Sequence, residues 1–238
     1  MHPALSRAQP RLLNNALDLA LHCCSGQARP AVEGQTDKRS IAKLPAGTTT
    51  MIYLLGTSHF IQFERVSPGL HLSAKIKRFR TYVADAVRAH TATAIAEESN
   101  GEIEESRGAS IARHIAEDMQ PALHYIPCEP SEHERRALGI PSHRAAIENA
   151  RPEQSWLSRE EYRDAVLLRH FPSREKFWMN RFREVAFTSV LFVCGVHHVS
   201  TFACRLTEAG IPWQVICFDW WASDDCENGR LPLDEQPL

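Results

Sequence analysis

Ile52-Tyr53-Leu54-Leu55-Gly56-Thr57-Ser58-His59 and Leu191-Phe192-Val193-Cys194-Gly195-Val196-His197-His198 repeat one pattern: an apolar run, a glycine, then a histidine three residues on. A short apolar run without polar alternation reads as a strand covered on both faces, as in a parallel sheet buried between helices. The glycine lets the chain turn sharply off the strand, so each histidine projects just beyond the sheet edge.

Working outward from these runs, strands and helices alternate. Leu72, Ile76, Phe79, Val83 and Val87 recur at helical spacing, with Lys75, Arg78, Arg80 and Arg88 facing elsewhere. Thr93 to Ala96 reads as a second strand ending at Glu97-Glu98, Ile111 to Met119 as a short helix, and Leu123 to Cys128 as a third strand ending at Glu129-Pro130. Residues 130–157 are the least regular stretch, with Pro130, Pro141 and Pro152 opposing long elements. Ser158 with Glu161 makes a capping box for a helix to Phe171, where Pro172 interrupts before a second helix from Ser173 to Ala186. Ser189 to Cys194 is the fourth strand, and a helix from Val199 stops at Gly210 with Pro212 preventing its continuation. Trp213 to Phe218 supplies the fifth strand. The expectation is an α/β fold: a mostly parallel central sheet with flanking helices and right-handed connections, in a single domain over 51–222. Residues 1–50 are expected to form a weakly structured extension and 223–238 a flexible tail.

The totals narrow the class. The 238 residues suffice for one sizeable core, and 43% hydrophobic content excludes disorder of the whole chain. With 27 Lys+Arg against 29 Asp+Glu and a net charge of -2, the chain does not read as a binder of nucleic acid or of an anionic membrane. No apolar run approaches the roughly 20 residues of a membrane span. Leu12 to Cys24 contains Asn14, Asn15, Asp18 and His22 and makes a poor signal-peptide core, so a cytoplasmic location is the default expectation. The seven cysteines include no Cys-x-x-Cys pair and suggest neither a disulfide framework nor a zinc ribbon. Cys194 and Cys217 read as small buried hydrophobes, and Cys128 more as packing than as a reactive thiol. A homo-oligomer is compatible with all of this and is not required by it.

The chemistry gathers at the strand ends. In an open parallel sheet, ligands bind in the crevice beyond the carboxyl ends of the strands. His59, His198, Glu97, Glu98 and Glu129 all converge there if the strands are parallel. Histidine with glutamate suits Zn, Mn, Fe or Co, and the same groups serve metal-free acid–base catalysis. The pattern leaves these two open. Each residue also has an ordinary reading: a strand-end histidine as a hydrogen-bonded structural group, a Glu-Glu pair as a solvated cap. The repetition of Gly-x-x-His is what favours a site, and His197 is the weaker of the adjacent pair. Arg174, Trp178 and Arg181 share a helix face, where an arginine could bind a substrate carboxylate or an oxyanion, or simply stack on Trp178 at a solvated surface. Glu175 could pair locally with these arginines, and Arg135 and Arg136, just after Glu129, carry the same ambiguity.

With Gly56-Thr57-Ser58-His59, Glu97-Glu98, an arginine-bearing helix and Gly195-Val196-His197-His198 in this order, the chain resembles the TraB/GumN group and the related Tiki proteins over roughly Met51 to Trp221. More distantly it is similar to the erythromycin-esterase and haem-binding ChaN families. The resemblance implies a parallel-sheet α/β domain with the two histidines and a glutamate around one site. In Tiki-like relatives such a site supports metal-dependent peptide cleavage; in esterase-like relatives, a histidine-centred hydrolysis without metal. His59, His198 and Glu97 or Glu98 match by position, Arg181 more weakly.

These observations lead to the expectation of a hydrolase, metal-dependent in the leading version, cleaving an amide, peptide or ester bond in a small-molecule or peptide substrate. His59, His198 and Glu97 or Glu98 would hold a divalent transition metal (Mn, Co or Zn), and the other glutamate would be the general base. Arg174 or Arg181 would orient an anionic group, with Glu129, Arg135 and Trp178 lining the substrate. The alternatives are a metal-free His/Glu hydrolase needing no cofactor and a non-catalytic module for haem or a small ligand.

Overall fold

The computed structural model describes residues 51–63, 73–140 and 159–222, the last with side chains from 169 onward. The expected extension, the expected tail and the Ser158/Glu161 capping box lie outside the described residues. Among the described residues, five strands and six helices follow in the order β1 (Met51–Thr57), α1 (Ser73–Ala89), β2 (Ala94–Glu97), α2 (Gly101–Arg107), α3 (Ile111–Asp118), β3 (His124–Pro127), α4 (Glu132–Ala137), α5 (Arg159–Glu184), β4 (Ser189–Gly195), α6 (Val196–Glu208) and β5 (Trp213–Cys217).

All pairings in the sheet are parallel and the order is β3-β2-β4-β1-β5. β4 is the central strand and is buried at every position. Its register runs from Met51↔Ser189 to Thr57↔Gly195 against β1, and from Ala94↔Val190 to Glu97↔Val193 against β2. The two Gly-x-x-His strands are therefore neighbours, and their glycines stand one position apart across the pair.

Alternation of side chains along each strand divides the core in two. On one face, Leu55, Ile95, Leu191 and Val193 meet Phe79, Val83 and Val87 of α1 and Ile111 and Ile115 of α3. On the other, Ile52, Leu54, Ala96 and Phe192 meet Trp178 and Phe182 of α5 and Phe202 and Leu206 of α6. The second face is aromatic, with Trp178, Phe192 and Phe202 packed edge to face at ring separations of 5.2–5.5 Å. Burying each such side chain is worth about 1.5–3 kcal/mol.

The order of strands also positions the site. β1 and β2, on either side of β4, continue into α1 and α3 on one face, whereas β4 continues into α6 on the other. Neighbouring strands that send their connections to opposite faces leave a crevice at their carboxyl ends.

Four details differ from the sequence expectation. α5 runs unbroken through Pro172, because burial of Phe171, Glu175 and Trp178 on either side holds the helix together despite one forfeited backbone hydrogen bond. Helices α2 and α4 occupy stretches that carry no apolar periodicity, and each is held by its cap instead: Asn100 accepts from the Ile103 N–H, and Ser131 with Glu134 forms a capping box. α6 begins at Val196, so His198 sits in its first turn. Cys128 and Cys194 are buried free thiols, as packing requires, and Cys217 is buried but disulfide-bonded, which its apolar run does not announce. Among the described residues, no helix is long and apolar enough to cross a membrane.

Candidate functional site

At the carboxyl edge of the sheet the side chains assemble around Arg174 of α5. Its guanidinium donates to Glu98 beyond β2, to Glu129 beyond β3 (2.6 Å from Nη2) and to Nε2 of His198 (3.0 Å from Nη1). Arg135 of α4 donates to the other oxygen of Glu129. Burying three carboxylates here would be prohibitive unless each were paired. Each one is: Glu98 with Arg174, Glu129 with Arg174 and Arg135, and Glu175 with Arg205 at 3.2 Å. Glu98 also accepts the backbone N–H of Gly195 at 2.7 Å. Burial alone would raise the Glu98 carboxyl, but His59, Arg174 and the Gly195 N–H outweigh it and hold the group well below the usual carboxylate range.

The two motif histidines occupy different surroundings. His59 is solvent-exposed on one side, with 46% of its side chain accessible. Its Nδ1 lies 2.7 Å from the Gln62 carbonyl oxygen, which can only accept, so in the neutral ring the proton is on Nδ1 and the lone pair on Nε2. That Nε2 stands 3.7 Å from Glu98 and directly over Gly195. A side-chain carbon at Gly195 would come within 2.8 Å of His59 Nε2 and 3.2 Å of Glu98 Oε2, so this close approach requires glycine. His198, by contrast, is buried between the rings of Phe171 and Trp178 at 3.6 and 4.6 Å, with Nδ1 3.0 Å from Glu175. His197, next to it, faces solvent.

Glu97 and Glu98 diverge. Glu98 joins the Arg174 cluster, and Glu97 follows Ile95 onto the opposite face, where Oε2 accepts from the Tyr125 hydroxyl at 2.9 Å. Among the described residues, Oε1 of Glu97 is buried without a hydrogen-bond partner. Burial pushes this carboxyl up to about 8. The expectation that Glu97 completes a metal site with His59 and His198 is corrected by this divergence. Arg181 is corrected as well. It bonds the Pro127 carbonyl and Glu184, away from the histidines, because α5 runs back from the carboxyl edge towards the start of β4 and Arg181 lies about two turns further along it than Arg174. Trp178, expected at a substrate surface, is fully buried and serves the core. Glu129 and Arg135 are engaged with each other and with Arg174. Gln62 was absent from the sequence reading, and Glu175 entered it only as a local partner for the arginines of its helix. Glu175 does follow the singled-out Arg174 directly, and Gln62 follows His59 by three residues.

A metal ion does not fit these donors. The Nε2 of His198 and an oxygen of Glu98 already accept from the Arg174 guanidinium, whose charge would oppose a second cation. Among the described residues, no group of three or more His, Cys, Asp or Glu could hold a metal. A largely apolar groove of about 690 Å³ lies at the opposite end of the sheet, lined by Val87, Met119, Leu123 and Phe187 among others, remote from this chemistry.

The fold and the edge cluster thus define an α/β domain with a parallel sheet and a histidine–glutamate–arginine site beyond its strands. No protein-family model, curated protein or solved structure matches the chain.

Proposed function

We propose that the chain is a metal-free hydrolase of an ester or amide bond, with His59 as the general base. One observation carries the reading: an accessible imidazole at the carboxyl edge of the sheet whose Nδ1 is tied to Gln62 and whose Nε2 stands beside Glu98. Nε2 takes a proton from water as the oxygen attacks the substrate carbonyl. The Glu98 carboxylate, kept ionised by its neighbours, stabilises the imidazolium that results. Arg174, joined to the same Glu98, supplies positive charge for the oxyanion of the tetrahedral intermediate. The proton on His59 then passes to the leaving alcohol or amine, which restores the base. This is the esterase-like side of the resemblance drawn from the motifs.

The test is hydrolysis of a panel of p-nitrophenyl esters and peptide p-nitroanilides, with and without a strong chelator. Activity should survive the chelator and fall by at least about a hundredfold in His59→Ala. Activity abolished by the chelator and restored by manganese, cobalt or zinc would overturn the metal-free reading.

A further inference from the structure

His198 has the same motif position as His59, yet both of its ring nitrogens are committed. A carboxylate only accepts and a guanidinium only donates, so Glu175 at Nδ1 and Arg174 at Nε2 leave a single proton arrangement for the ring between them. Glu175 is itself fixed. It is 1% exposed, and it accepts from the Thr201 hydroxyl and from Nε of Arg205. His198, Thr201 and Arg205 lie on one face of α6, so three successive contacts from α6 hold one carboxylate of α5. Phe171 and Trp178 confine the ring from its sides.

We infer that Glu175 is a positioning residue: it keeps the His198 proton on Nδ1, so that Nε2 accepts from Arg174 and aims the guanidinium at the crevice. The Gly-x-x-His repeat then has divided roles, with His59 as base and His198 as a strut. Glu175 acts through His198 and Arg174 and touches no reacting atom. This role rests on the proposed hydrolysis only for its effect on rate; the proton position is a property of the protein alone.

The experiment uses full-length chain labelled with 15N-histidine at neutral pH, with the His198 resonances assigned by their loss in His198→Asn. The expected spectrum has a protonated Nδ1 and an unprotonated Nε2 at His198. Glu175→Gln, which still offers an acceptor, should keep that pattern and most of the hydrolysis. Glu175→Leu should lose the pattern, with kcat down about a hundredfold and KM little changed, the signature of a misaimed catalytic group. A proton on Nε2 in the wild-type protein overturns the inference, as does Glu175→Leu with tautomer and kcat unchanged. The wild-type spectrum decides the matter even where Glu175→Leu does not fold. The expected tautomer in a protein that cleaves none of the esters or amides would retain the Glu175 assignment and reject the hydrolase.

Discussion

His59 and His198 each give their Nδ1 to an acceptor, Gln62 at 2.7 Å and Glu175 at 3.0 Å, and what remains at Nε2 separates them. The glycines of the two motifs differ in the same instructive way. A Cβ at Gly56 would stand 1.9 Å from the Phe218 carbonyl oxygen, a backbone atom that cannot move alone. At Gly195 its nearest contacts would be the ends of the His59 and Glu98 side chains. Gly56→Ala is therefore expected to lower the unfolding free energy by about 3 kcal/mol in urea titration. Gly195→Ala should cost less than about 1.5 kcal/mol yet reduce hydrolysis about a hundredfold by displacing His59. The reverse ranking in stability would contradict this division. The repeated Gly-x-x-His was legible because a glycine and a histidine at fixed spacing are local facts. The partners Gln62 and Glu175 were not, since a hydrogen bond to Nδ1 depends on ring orientation, which spacing does not encode.

α5 shows what periodicity can and cannot say about an element. Pro172 read as a break, yet the helix continues because its buried side, from Phe171 through Glu175 and Trp178 to Phe182, is anchored on the sheet. Pro172 itself is exposed and in the helix interior. Pro172→Ala should restore a backbone donor and raise stability by about 1–2 kcal/mol, read as a higher urea midpoint. A lower midpoint would mean that the ring itself supports the helix. Ser131-x-x-Glu134 is a start signal for α4, but the helix that follows has no buried residue to create a period. The strands were the easiest elements to read, since continuous apolar runs such as Ser189–Gly195 arise only where both faces are covered.

For the molecule as a whole, the parallel α/β architecture was legible from alternation, and the pairing of the two Gly-x-x-His strands followed from it only by folding. Which glutamate joins the arginine cluster was settled by the end of β2, where Glu97 keeps the strand's alternation and Glu98 leaves it. The stranded carboxyl of Glu97 has a global effect. Burial raises it from 4.5 to about 8, so the folded chain holds a proton that the unfolded chain releases near its ordinary value. Its contribution to stability is complete below about pH 4.5 and declines as pH rises towards 8. Glu97→Gln, neutral at every pH, should lose less stability than the parent chain between about pH 5 and pH 8 in urea unfolding. Equal slopes for the two proteins would contradict the buried, protonated state.

The order β3-β2-β4-β1-β5 also governs when the molecule can come into being. β1 touches neither β2 nor β3 and joins them only through β4, whose last residue is Gly195. As the chain leaves the ribosome, the first three strands can therefore make no common sheet. β1 must wait, edges bare, until β4 has been made. Such an interval favours chaperone capture and misassociation through unpaired strands. Arrival of one strand then closes the core and brings His59, Glu98 and His198 together, so the histidine–glutamate–arginine cluster exists only in chains that have folded to completion.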